Sequence, residues 1–416
     1  MAVIVQKFGG SSVGTLDRIN HVAKKIMSAR QNGHDIIVVV SAMYGETDRL
    51  IRLANALTHV PDPREYDALI STGEQVSMAL LSIALNANNC AARSFTGQQI
   101  GIMTDNVHTK ARILDIKTDV IQRELACGRV VIVAGFQGVN ELNDITTLGR
   151  GGSDTTAVAL AATLEADECQ IYTDVDGVYT TDPHLFPEAR LLPSISFEEM
   201  LEMASLGAKV LQIRAVELAS KYNMPIRVLS TFSDGPGTLV TFEDKLMQKK
   251  RLVSGIAFSR EEAIISLSGI PRQLGMEGRI VDKISLAHIE IDMIAQNTTA
   301  QDTVDFTFTV QRREYLKALQ VVEELAAELG GTIEIKTNAK VAKLSLVGIG
   351  MRSHSGVAST MFKALGTAGI NIQMITTSEI KISVVVDETM LEDGVRAIHA
   401  AFELDKQPST TEPFLE

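Results

Sequence analysis

Short apolar runs recur along the first 230 residues, each closed by glycine or small polar residues and followed by a stretch of helical periodicity. Residues 2–8 (Ala-Val-Ile-Val-Gln-Lys-Phe), 36–40, 91–95, 130–134, 168–173 and 225–229 predict strands. Helices are predicted over 15–31, over 65–87, and toward Tyr222, with a bend near Ser71-Thr72-Gly73-Glu74 because glycine is costly inside a helix. Such β/α alternation implies an α/β fold: a mostly parallel sheet sandwiched by helices, with ligands gathered at the carboxyl ends of its strands.

The pattern changes after residue 233, where Asp-Gly-Pro-Gly and charged runs such as Lys249-Lys-Arg251 suit a domain junction. Beyond it the chain repeats itself. Ala263-Ile-Ile-Ser-Leu-Ser-Gly-Ile270 echoes Ala342-Lys-Leu-Ser-Leu-Val-Gly-Ile349, and Ile289-Glu-Ile-Asp-Met-Ile294 parallels Ile370-Asn-Ile-Gln-Met-Ile375. Each copy continues into an alternating strand and a helix, which predicts two βαββα modules. The expected division is 1–240 for the α/β domain, 241–258 for a linker, 259–337 for the first module and 338–416 for the second.

Composition narrows the function classes. With 416 residues, 45% of them hydrophobic, the chain has ample material for two to three domains. A net charge of -12 argues against general nucleic-acid or anionic-membrane binding, and no uninterrupted apolar run approaches the roughly 18 residues of a membrane span. Cys90, Cys127 and Cys169 are odd in number and far apart, so neither a disulfide framework nor a zinc site is expected, and a cytoplasmic location is.

Candidate chemistry centres on Thr147-Leu-Gly149-Arg150-Gly151-Gly152-Ser153-Asp154. Three glycines in four positions allow close backbone approach to a ligand, and the Ala-rich run that follows predicts a helix whose N-terminus suits an anion. A plain flexible turn is the competing reading. Lys7-Phe8-Gly9-Gly10 ends the first strand in a second glycine loop; its lysine precedes the glycines, which excludes a P-loop. Asp174-Val-Asp176-Gly177 invites a calcium reading that fails, because a loop with Gly177 at its sixth position would begin at Tyr172 and end at Pro183.

Taken together, Lys7-Phe-Gly-Gly-Ser-Ser-Val, Val40-Ser-Ala, Ser71-Thr-Gly-Glu74, Thr147-Leu-Gly-Arg-Gly-Gly-Ser-Asp154, Thr173-Asp-Val-Asp-Gly-Val-Tyr-Thr-Thr-Asp-Pro183 and Gly207-Ala-Lys-Val-Leu211 closely resemble the aspartokinase family of amino-acid kinases. The paired modules resemble its tandem ferredoxin-like ACT domains. The resemblance implies transfer of the ATP γ-phosphoryl group to the side-chain carboxylate of L-aspartate, at the entry to lysine, threonine, methionine and isoleucine biosynthesis. It implies Lys7 and Asp154 as catalytic residues. Lys7, Phe8, Gly9, Gly10, Ser41, Thr173, Asp174, Tyr179, His184, Lys209 and Val210 would bind ATP, with Mg²⁺ carried mainly by the phosphates and no protein metal site. Thr47, Glu74, Arg150, Gly151, Gly152 and Ser153 would bind aspartate, Arg150 on the α-carboxylate and Glu74 on the α-ammonium.

By the same resemblance an amino-acid effector, lysine and/or threonine, would sit between the modules at Met293, Ile294, Asn297, Asn371, Ile372, Ser378 and Glu379. Two departures bear on this picture. His184 stands where the family often has arginine, and Arg272-Gln-Leu-Gly275 replaces the usual Asp-x-Pro-Gly turn of the first module. The family also implies a homodimer, or a tetramer with a shorter ACT-containing chain, for which Met247 is a candidate internal start.

Overall fold

The structure, a computed structural model, describes residues 2–206, 210–243, 252–299, 303–330 and 333–406. The expected start at Met247 lies outside them. The chain forms two compact units.

The first unit is built on an eight-stranded sheet. Across it run Ser194–Ser196, Thr238–Thr241, Ile226–Ser230, Glu168–Thr173, Val3–Phe8, Asp35–Val40, Val130–Ala134 and Ala92–Phe95. Every adjacent pair is parallel except Ile226–Ser230 with Thr238–Thr241. The continuous apolar runs are explained by this placement: Ile36–Val40 and Val130–Ala134 are buried on both faces. Helices Leu16–Gln31 and Thr72–Ala87 pack a core with Phe8, Ile19, Ile26, Val38, Leu81 and Leu85. Helix Gly152–Thr163 is buried along most of its length, which is why its sequence is alanine-rich and lacks an amphipathic stripe. The expected bend near Ser71 is a junction between helices Pro63–Ile70 and Thr72–Ala87. This stretch is long and apolar enough to cross a membrane by composition, yet it carries the buried acids Asp67 and Glu74 and packs as a core helix. A small sheet of Ile113–Ile116, Ile102–Thr104, Gln137–Val139 and Ile145–Thr147 was not expected.

In the second unit a six-stranded antiparallel sheet runs Ile291–Thr298, Thr303–Gln311, Gly255–Pro271, Glu334–Val347, Lys381–Asp387, Met374–Thr377. Helices Met276–Leu286 and Tyr315–Leu329 bury one core against Ile265, Phe306 and Phe308; Val357–Thr367 and Leu391–Ala401 bury another against Leu344, Leu346 and Val384. Both copies open their first helix on a left-handed glycine, Gly275 and Gly356, at φ 83° and 104°.

The module borders differ from those expected at 258 and 338. Gly255–Pro271 and Glu334–Val347 are long strands that each serve both modules: Ser268 pairs with Glu334 in the first, Gly255 with Val347 in the second. Residues 255–258, expected in the linker, are a strand of the second module, and Val253 and Ile256 are buried in its core. Tyr179–Arg190, expected in the first domain, also belongs to the second unit, where Phe186 and Ala189 are buried.

Candidate active site

The glycine loops meet at the carboxyl edge of the parallel sheet. Lys7 lies next to last in Val3–Phe8, and its Nζ is 2.6 Å from Asp154 Oδ1, with side-chain exposures of 12% and 9%. Asp154 stands in the first turn of Gly152–Thr163, whose N-terminus follows left-handed Gly151 (φ 71°) and has no side-chain cap. An ion pair this screened from water, beside an open helix N-terminus, is fixed in position and biased toward anions.

From that pair the contacts run in a ring. A Cβ on Gly9 would sit 3.5 Å from Lys7 Nζ, and one on Gly10 would press to 2.9 Å from the Ala42 carbonyl oxygen, so the chain packs there only as glycine. The Ser41 N–H donates to the Phe8 carbonyl (3.1 Å), joining the ends of two neighbouring strands. The Ala42 N–H donates to Glu74 Oε1 (3.1 Å), and the Ser77 hydroxyl donates to the Ser41 carbonyl (2.7 Å). The Gly135 N–H donates to Val40 (3.0 Å), and a Cβ on Gly135 would lie 2.7 Å from Ser153 Oγ, which returns the ring to Asp154.

Glu74 is the electrostatic exception in this ring. It is 3% exposed, its Oε2 has no hydrogen-bond partner, and burial pushes its pKa up to about 7 against the lowering effect of the Ala42 N–H. A carboxylate poised in this way gains most from a cation brought by a ligand. Arg150, in contrast, is exposed and makes no ion pair with the described residues, which leaves its guanidinium available.

Residues 2–230 match the model of the amino acid kinase family, and residues 344–402 match an ACT domain. An aspartate kinase of Stutzerimonas stutzeri is 58% identical over 411 residues, spanning 99% of this chain and 100% of that protein. An aspartokinase of Pseudomonas aeruginosa is 59% identical over 406 residues, spanning 97% and 98%. The chain belongs to the aspartokinases, within the amino acid kinase family. Its activity is aspartate kinase activity, a phosphotransfer. The fold agrees: aspartokinase III of E. coli, solved in complex with aspartate and ADP, gives a TM-score of 0.77 at 25% identity over 96% of this chain and 99% of that one. The same protein in complex with lysine and aspartate gives the same values.

The aspartokinase motifs distribute unevenly over the two units. Lys7, Phe8, Gly9, Gly10, Ser41, Glu74, Ser153 and Asp154 are joined by the ring, and Gly151 and Gly152 open the helix that carries Asp154. Thr47 lies in the first turn of helix Glu46–Leu57, after left-handed Gly45. Thr173 ends the neighbouring strand and Asp174 follows it, and the Thr173 hydroxyl donates to Asp174 (3.0 Å). Val210 is half-buried in a turn, and Lys209 lies outside the described residues. Tyr179 and His184 fall in the second unit: Tyr179 packs on its core, and exposed His184 has its N–H bonded to Asp182 Oδ1 (2.9 Å). Of the expected effector residues, Met293 is buried, Ile372 packs on the second module's core, and Ile294, Asn297, Asn371, Ser378 and Glu379 are exposed. Leu274, in the altered turn, is fully exposed.

The ring also contains residues that sequence reasoning passed over. Gly135 had a signal, since it follows an apolar strand as Lys7's glycines do. Ala42, which acts through its backbone, had only its place in the Val40-Ser-Ala run, and Ser77 had no signal because it acts through a helix-buried hydroxyl.

Proposed function

We propose that this ring binds the triphosphate of ATP on its Lys7-Gly9-Gly10 side and L-aspartate between Glu74 and Arg150. The observation that carries the reading is the buried Lys7–Asp154 pair beside the open N-terminus of Gly152–Thr163. The side-chain carboxylate of aspartate is ionised at neutral pH and needs no general base. Its oxygen forms a bond to the γ-phosphorus as the bond to the β-phosphate oxygen breaks, giving 4-phospho-L-aspartate and ADP. Lys7 neutralises charge on the transferring group, and Asp154 holds Lys7 in place. Among the described residues no group of three or more His, Cys, Asp and Glu side chains is arranged for a metal, and Asp154 is engaged by Lys7. Mg²⁺ would be carried by the ATP phosphates, where it would supply charge neutralisation.

Two outcomes test the two halves of the ring. Gly10→Ala is expected to weaken ADP binding roughly tenfold, by pushing the loop away from Ala42, in an equilibrium titration. The pH profile tests Glu74. With its pKa near 7 in the free protein, protonation removes the partner of the substrate ammonium, so the KM for aspartate is expected to rise roughly tenfold from pH 8 to pH 6. Glu74→Gln is expected to flatten that rise. The sign for stability is opposite: a raised carboxyl pKa means the native state holds a proton that the unfolded chain has released, so Glu74 costs stability increasingly as pH climbs from about 4.5 to about 7.

The ACT modules are the regulatory part of the reading. We assign feedback by lysine, threonine or both to the residues on Ile291–Thr298 and around Met374–Thr377; the complex of the E. coli relative with lysine and aspartate supports an amino-acid effector. Feedback would place the enzyme at the head of lysine, threonine and methionine biosynthesis in the cytoplasm, working as a homodimer or with a shorter ACT-containing chain. Calorimetric titration with each amino acid decides the effector, and no heat with either would remove this part of the proposal.

A further inference from the structure

Asp67 is a buried acid that the reaction does not use. It sits in helix Pro63–Ile70 at 0% exposure, and its carboxylate accepts the Thr109 N–H at both oxygens (3.1 and 3.0 Å), the Thr147 hydroxyl at Oδ1 (2.5 Å) and the His108 Nδ1–H at Oδ2 (2.8 Å). A carboxylate withdrawn from water must find donors, so these bonds bind the helix to the two segments that supply them.

One segment leads to Arg150. Thr147 ends the strand Ile145–Thr147, its carbonyl accepts the Ala111 N–H (2.9 Å), and Leu148 and left-handed Gly149 (φ 78°) follow. The other segment braces it. The Thr109 carbonyl oxygen lies 3.1 Å from where a Cβ on Gly149 would stand, and Thr109 is itself at φ 68°, a backbone state uncommon for a β-branched residue, with its N–H held by Asp67. In the other direction the helix passes through Ser71, whose carbonyl accepts the Gln137 side-chain amide (2.8 Å), into Thr72–Ala87 with Glu74 in its first turn.

We infer that Asp67, with His108 and Thr147, is a positioning residue that sets the spacing between Glu74 and Arg150, and thereby the fit to an α-amino acid head group. The inference rests on the assignment of those two residues to aspartate. Its test is steady-state kinetics on the full-length enzyme, varying aspartate and ATP separately. Asp67→Asn is expected to raise the KM for aspartate on the order of tenfold or more and leave the KM for ATP within about twofold. Thr147→Val should raise the KM for aspartate several-fold, whereas Thr147→Ser, which keeps the hydroxyl, should restore it; this pair decides the matter if Asp67→Asn does not fold. Both KM values rising together, or neither moving in folded Asp67→Asn and Thr147→Val, would overturn the inference. If Arg150→Ala and Glu74→Gln leave the KM for aspartate unchanged, the underlying assignment fails. If they raise it and the Asp67 and Thr147 variants do not, only the positioning role fails.

Discussion

Lys7→Ala is expected to lower kcat by about 10²–10³-fold with a much smaller change in the KM for aspartate, measured as aspartyl hydroxamate formed per unit time. The reasoning is electrostatic. Lys7 is the cation of a largely buried pair at the end of a parallel strand, and in a site so shielded from water its charge would act strongly on the proposed transferring phosphoryl group. Removing it also leaves Asp154 as an uncompensated buried acid facing an anionic substrate. Asp154→Asn is therefore expected to be milder than Lys7→Ala, because it disorders the lysine without reversing the charge of the cleft. Equal losses in the two variants would place Asp154 in the reaction itself.

The second large effect is expected at Arg150. Arg150→Ala should raise the KM for aspartate by roughly 10–100-fold and change kcat little, since the proposed charge-assisted pair to the α-carboxylate would be present in ground and transition states alike. Arg150→Lys should recover only part of the loss, because an ammonium cannot reproduce the two-toothed geometry. Stability supplies the control. Arg150 is exposed and unpaired among the described residues, so the variant's Tm should stay near that of the parent protein in a thermal melt. A matching drop in Tm would assign the KM effect to damaged folding.

The parallel sheet was legible because strands buried on both faces must be apolar throughout, and 36–40 and 130–134 are. The core of the candidate site was legible for a related reason: Gly9, Gly10, Gly151 and Gly152 sit where backbone comes close to a neighbour, and Lys7 and Asp154 flank them. What stayed hidden depended on partners far away in the chain. Residues 255–258 follow a charged run and were expected in the linker, and nothing local tells that they complete the module beginning some eighty residues later. Tyr179–Arg190 carries a nucleotide-binding motif by resemblance, and nothing local reveals that Phe186 and Ala189 bury in the second unit. Asp67 reads as an ordinary helix-surface acid, since its burial comes from Thr109 and Thr147, about 40 and 80 positions away.

The most direct test of the central claim is formation of ADP and aspartyl hydroxamate by the purified protein given Mg-ATP and L-aspartate, with and without lysine and threonine. The account predicts hydroxamate that depends on aspartate, drops about 10²–10³-fold in Lys7→Ala and falls when an effector is added. Product that is unchanged by either amino acid would keep the kinase and remove the feedback role assigned to the ACT modules. No product from aspartate in folded protein would contradict the reading of the Lys7–Asp154 ring as the site of phosphotransfer.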